Sequence, residues 1–229
     1  MKACYFSIKQ ETKNNYSIKN NVVSCCGICI IRFYKKNTNT KNKGRSKIKM
    51  CQGLRKLQDK SPEDLLKLDS SRALCVNLQN ICENIEGLKV MPIIKNNKYI
   101  KKYRLLFNIL RGAVVSDNEK DKFTIFYSSE KDLYFQRYII AHELGHCCLH
   151  TEKLIEYRHL EYPYWFTHLT SAEKEAHKFA RELLIPREPL VNILNQLPKE
   201  MESEYIARNL HQLYKVPKKI MKQRINELR

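Results

Sequence analysis

Two histidines four residues apart flank a glutamate in His142-Glu143-Leu144-Gly145-His146. On a helix such a pair lies on one face, one turn apart, so both imidazoles can reach a single tetrahedral Zn2+ at about 2.0–2.1 Å. Glu143, one step around the helix, can then address a water at the ion. Coordination lowers that water's pKa toward about 7, and a neighbouring carboxylate can take the proton and pass it to a leaving amine. The chemistry this spacing supports is metal-assisted hydrolysis of a peptide bond, with His142 and His146 as metal ligands and Glu143 as catalytic base. The spacing also arises by chance. Here Tyr138, Ile139, Ile140, Ala141, Leu144, Cys147, Cys148 and Leu149 surround the polar residues with apolar ones, which predicts a buried helix. Buried imidazoles need a partner.

A third protein ligand has to come from elsewhere. The metzincin pattern would need a glycine at position 149 and a histidine at 152, where this chain has Leu149 and Glu152. A glutamate on a later helix is the other common solution, and the segment LTSAEKEAHKFARELLIP (169–186) offers Glu173, Glu175 and Glu182. Thr170 and Glu173 fit a capping box, which gives Glu173 a structural role. Glu175 shares a stripe with Ala172, Ala176, Phe179 and Leu183, the face expected to pack inward, where a carboxylate is costly without a cation. Glu175 is therefore the expected third ligand, with Glu173 and Glu182 as the alternatives. His150 extends the histidine stripe by a turn and is expected to be structural or to support the ligands. Cys147 and Cys148 are expected to be buried rather than metal-binding.

The run R-x-x-x-A-H-E-L-G-H from Arg137 to His146, with His150 and E-x-E-A-x-x-F-A-x-E-L-L-x-P from Glu173 to Pro186, resembles the ImmA/IrrE family of bacterial zinc metallopeptidases. The resemblance is good from about Phe123 to Pro186 and looser from about Ser61 to the C-terminus. It implies a gluzincin-like core with His142, Glu143, His146 and Glu175 in the site, and a helix-turn-helix transcriptional repressor as the protein cleaved or otherwise inactivated. His177 departs from the family, whose members commonly have Asn there.

The motif requires elements to carry it. Lys122 to Tyr127 (KFTIFY), rich in aromatic and β-branched residues, reads as a strand. A helix capped by Ser129 should follow and run to about His150. Ser61-Pro62-Glu63-Asp64 presents an N-cap, a proline at the first helical position and acids in the first turn. A further helix from about Ser71 carries Leu74, Leu78, Ile81 and Ile85 and stops at Gly87, before the extended run LKVMPII. The segment YRHLEYPYWFTH (157–168) is a candidate lid or core wall. From Pro198 two helices are expected, one with Tyr205, Ile206, Leu210 and Leu213, the other with Ile220, Met221, Ile225 and Leu228. The fold class expected is α+β: a helix-rich, zincin-like core (53–195) with a small sheet and a C-terminal helical extension (196–229).

The formal net charge of +18 is unevenly spread. Residues 1–50 hold twelve Lys or Arg against Glu11 alone, and Lys35 to Lys49 is too poor in apolar residues to offset its ordering entropy. Residues 1–52 are expected to form a basic, flexible arm, and nucleic-acid contact is expected of that arm rather than of the folded body. Within it Cys25, Cys26 and Cys29 lack a nearby second pair that would complete a metal knuckle. The absence of an apolar leader and of a spanning segment points to a cytoplasmic protein with reduced thiols and no membrane partner. The function expected is that of a zinc-dependent endopeptidase acting on a repressor. Its rivals are a zinc-containing regulator that binds repressor or DNA without cutting, and the peptidase of a toxin–antitoxin pair.

Overall fold

The computed structural model describes residues 31–32, 50–71, 73–93, 112–117, 121–151 and 171–229. The Cys25-Cys26-Cys29 cluster, the aromatic segment 157–168 and Thr170 lie outside them. The architecture is helix-rich α+β.

Four short strands form one mixed sheet in the order β1-β3-β4-β2: β1 (Ile31–Arg32), β2 (Leu88–Ile93), β3 (Gly112–Asp117) and β4 (Lys122–Ser128). β3 and β4 are antiparallel, with Gly112 opposite Tyr127 and Asp117 opposite Lys122. β2 runs parallel to β4. β1 runs parallel to β3, Ile31 opposite Val115, so two residues of the stretch expected to be a loose arm form the edge of the sheet. β4 is the aromatic and β-branched run, and its Phe123 and Ile125 are buried in the core.

The helices before the motif are short. α1 (Gln52–Leu57) starts at the end of the expected arm and buries Leu54 and Leu57, with Cys51 just before it also in the core. α2 (Pro62–Leu66) opens on a complete capping box: the Asp64 amide donates to Ser61 Oγ at 3.2 Å, and the Ser61 amide donates to Asp64 Oδ2 at 3.1 Å. α3 (Leu78–Glu83) begins later than its apolar spacing suggests. Asp69 accepts from the amides of Ser71 (2.9 Å) and Asn77 (2.7 Å), folding the intervening residues into a loop, and Asn77 then caps the helix. Leu74 is left at the surface.

The motif helix, α4 (Leu133–Leu149), is capped by Asp132, which accepts from the Phe135 amide at 2.9 Å. Ser129, the expected cap, instead donates its hydroxyl to the Ile93 carbonyl at the end of β2. α4 packs along α5 (Ser171–Leu184), followed by α6 (Arg187–Leu194), α7 (Ser203–Leu213) and α8 (Lys218–Leu228). The C-terminal helices share the core: Ile206, Leu210, Tyr214, Val216, Met221 and Ile225 are all buried in it. Tyr205 and Leu213, expected on the inner stripe of α7, are each 56% exposed. No described helix is long and apolar enough to cross a membrane.

Candidate metal centre

α4 is polar where a buried helix is normally apolar: His142, Glu143 and His146 are at most 5% exposed. Arg137, one turn before the motif, fixes the helix at its outer face. Its guanidinium donates to the Val76 carbonyl at 2.8 Å and the Lys215 carbonyl at 3.2 Å, tying α4 to the loop before α3 and the turn before α8. On the inner face Gly145 lies against Ala176 of α5, where an added Cβ would stand 3.2 Å from both the Ala176 Cα and its carbonyl oxygen. Two small residues thus let the helix backbones approach, and that approach brings an α5 side chain to the histidines.

That side chain is Glu173. Its two carboxylate oxygens lie 3.3 Å from His142 Nε2 and 3.1 Å from His146 Nε2, and the two Nε2 atoms are 3.1 Å apart. Glu175, the carboxylate assigned to this place from the sequence, is not there. Its side chain is 53% exposed and 3.7 Å from His150 Nε2. The reason is helical phase. Ala176 sits at the centre of the buried face, and at about 100° per residue Glu175 is turned about 100° away from it, whereas Glu173 is about 60° away on the other side. Glu182, the other alternative, pairs with Arg224 at 3.5 Å, remote from the histidines. His150 ends α4, and its Nε2 donates to the Ala172 carbonyl at 3.0 Å, anchoring the start of α5 beside Glu173.

The electrostatics are those of a dry site. Burial pushes the pKa of His142 down to about 3, so its imidazole is neutral, the form that binds a metal. Burial alone would raise Glu173, but hydrogen bonds from His142 and His146 outweigh it and hold the carboxyl well below its usual range. Glu143 is pushed well above the usual carboxylate range, by burial first and then by the charge on Glu173. Gly112 of β3 makes room for it: a Cβ there would meet Glu143 Oε1 at 2.4 Å. Burial also raises the Cys147 and Cys148 thiols, the latter to about 12, so neither offers a thiolate near neutral pH.

The donor set fits a divalent ion. Donors at about 2.0–2.1 Å around a tetrahedral centre are separated by about 3.3 Å, close to the 3.1–3.3 Å found between the two Nε2 atoms and Glu173. His142 Nδ1 and both oxygens of Glu143 are buried with no hydrogen-bond partner among the described residues. Such an arrangement is expensive unless a further polar group enters the site. His177, marked in the sequence as a departure from the family and not as a ligand, places a ring nitrogen within 4.8 Å of the ligating atoms of His142 and Glu173. Its signal was the four-residue step from Glu173, the same step that separates His142 from His146.

The sequence profile of the IrrE N-terminal-like domain family, peptidase family M78, matches residues 96–226. No curated protein and no solved structure matches the chain.

Proposed function

The chain belongs to that metallopeptidase family, and from this premise we propose that it is a zinc-dependent endopeptidase whose metal is held by His142, His146 and Glu173. The observation that carries the reading is Glu143. A fully buried carboxylate with neither oxygen hydrogen-bonded among the described residues, next to two histidines and a second carboxylate, suits a chemical role. Zinc, when bound, supplies a Lewis acid that polarises the scissile carbonyl and acidifies the attacking water. The chain's own residues do the rest. Glu143 takes the water's proton on a carboxylate oxygen and delivers it to the leaving nitrogen. Glu173 balances positive charge in the site, and Gly112 keeps the space above Glu143 clear. His142 and His146 bring their Nε2 atoms within 3.1 Å of each other, and the Gly145–Ala176 contact keeps Glu173 in register with them.

The substrate proposed is a helix-turn-helix transcriptional repressor, met in the cytoplasm, with the basic N-terminal stretch adding contact to nucleic acid. Support for the substrate is the family resemblance, and support for the nucleic-acid contact is the twelve basic residues against one acidic residue in positions 1–50. Incubating the zinc-loaded protein with the repressor encoded beside it tests the substrate. Cleavage should require zinc and be lost in Glu143→Gln. A repressor left intact by zinc-loaded protein would overturn the reading.

A further inference from the structure

His150 touches both helices that carry the site. Its backbone amide closes the last turn of α4 by donating to the His146 carbonyl at 3.0 Å, and its ring reaches across to α5, where Nε2 lies 3.0 Å from the Ala172 carbonyl oxygen. Ala172 is the residue directly before Glu173, so one side chain connects the histidine end of the site to its carboxylate end. The ring is buried, with its centroid 5.4 Å from that of His146. We propose that His150 is a positioning residue that holds the Glu173 carboxylate against His142 and His146 and so sets the affinity of the centre for its ion; the inference deepens the zinc reading above and rests on it.

A carbonyl oxygen can only accept, so Nε2 carries the hydrogen and donates it. Glu175 is the other neighbour of Nε2, but at 3.7 Å it lies beyond hydrogen-bond reach and its side chain is half in water. The carbonyl is therefore the partner that fixes the ring. The bond also falls where α5 needs it. Glu173 sits in the first turn of α5, and helix ends fray. The Gly145–Ala176 contact sets the approach of the two helices almost a turn further on. The His150 bond acts on the first turn itself: the accepting oxygen belongs to the peptide unit that joins Ala172 to Glu173, from which the ligand side chain departs. Metal-binding groups have to be held within about 0.5 Å of their working geometry, a tolerance that a swinging first turn would exceed. Plain packing at this place would be served as well by an apolar side chain, and that difference separates the two roles.

Zinc affinity of the full chain, measured by competition with a chromophoric chelator, is read beside thermal melts of the same zinc-free proteins. His150→Leu fills the buried space without a donor, His150→Asn keeps an amide but draws it back from the carbonyl, and His150→Gln carries an N–H out to the reach of Nε2. The Leu and Asn variants are expected to bind zinc roughly 10- to 100-fold more weakly than the wild type, the loss typical of a group that supports a ligand, and the Gln variant within about threefold of it. The zinc-free melting temperatures are expected not to follow that order, and either of the two weakened variants that folds decides the point. Wild-type affinity in the Leu and Asn variants overturns the proposal and leaves the peptidase reading standing. A Gln variant as weak as the other two, or affinities that merely follow the zinc-free melts, also overturns it, because the histidine then serves packing alone. A wild-type chain that takes up no zinc overturns both readings. The expected losses in a chain that cleaves nothing keep the positioning role and remove the peptidase.

Discussion

Glu173 and Glu175 are the same residue type, two positions apart, and only one of them reaches the histidines. The sequence makes His142, Glu143 and His146 readable as a set because a four-residue step on a helix fixes their mutual placement whatever surrounds them. The downstream glutamate depends on how a second helix is rotated, and that rotation is set by packing. The apparent capping box drew Glu173 toward a structural role, and the stripe through Ala172, Ala176, Phe179 and Leu183 was extended to Glu175 on its outer side. The buried arc runs through Glu173, Ala176, Phe179, Ala180, Leu183 and Leu184, which takes in Glu173 and leaves Glu175 out. Glu173→Ala is therefore expected to abolish stoichiometric zinc binding, while Glu175→Ala keeps it; metal analysis after dialysis reads the difference, and equal retention would sink the assignment. Glu143→Gln should hold zinc as the wild type does but cleave about 10²- to 10⁴-fold more slowly, because Gln preserves the volume and cannot accept the proton. A cleavage time course with matched zinc content measures this, and an undiminished rate removes Glu143 from the chemistry.

Elements were legible where local chemistry decides them. KFTIFY is a strand and Ser61-Pro62 opens a helix, while the helix expected to stop at Gly87 already ends at Glu83, and Gly87, with a φ of +73°, turns the chain into β2. They were misread where a side chain competes with the helix pattern. Apolar spacing alone starts α3 near Ser71, but Asp69 captures two amides and delays it to Leu78. The motif helix likewise takes the nearer cap, Asp132, while Ser129 ties the end of β4 to β2. Asp132→Ala should then cost about 1 kcal/mol, the usual loss of a capping side chain. Ser129→Ala should cost less than about 0.5 kcal/mol, as at an exposed position. Urea unfolding separates them, and the reverse order would restore Ser129 as the cap. Gly145→Ala tests the helix–helix contact. Its Cβ meets backbone atoms that cannot swing aside, so about 1–3 kcal/mol of stability should be lost. Zinc affinity should fall with it as Glu173 is pushed from the histidines.

The whole molecule was harder to read, because long-range pairing leaves little trace in local sequence. Nothing in the composition of residues 1–50 announces that Ile31 and Arg32 pair with β3. The C-terminal helices, expected as a helical extension (196–229), bury Ile206, Leu210, Met221 and Ile225 in the core. Arg224 of α8, 5% exposed, donates to the Ile185 carbonyl at the end of α5 and pairs with Glu182 and Glu227, so the helix carrying Glu173 is braced from the far end of the chain. The outer brace is Glu204 of α7, which lies 2.9 Å from both Lys218 and Lys222 of α8. Hydrogen bonds from these lysines lower its carboxyl to about 2. A carboxyl depressed on folding adds stability that is complete above its unfolded pKa, near 4.5, and is lost as the pH falls toward 2. Glu204→Gln should therefore melt below the wild type at pH 7, and the gap should close between about pH 4.5 and 2. Because the group is exposed, the gap should also narrow with added salt. Thermal melts of both proteins across that range, at low and high salt, decide the point. A gap that persists unchanged at pH 2 would mean that Glu204 contributes through packing and not through its charge.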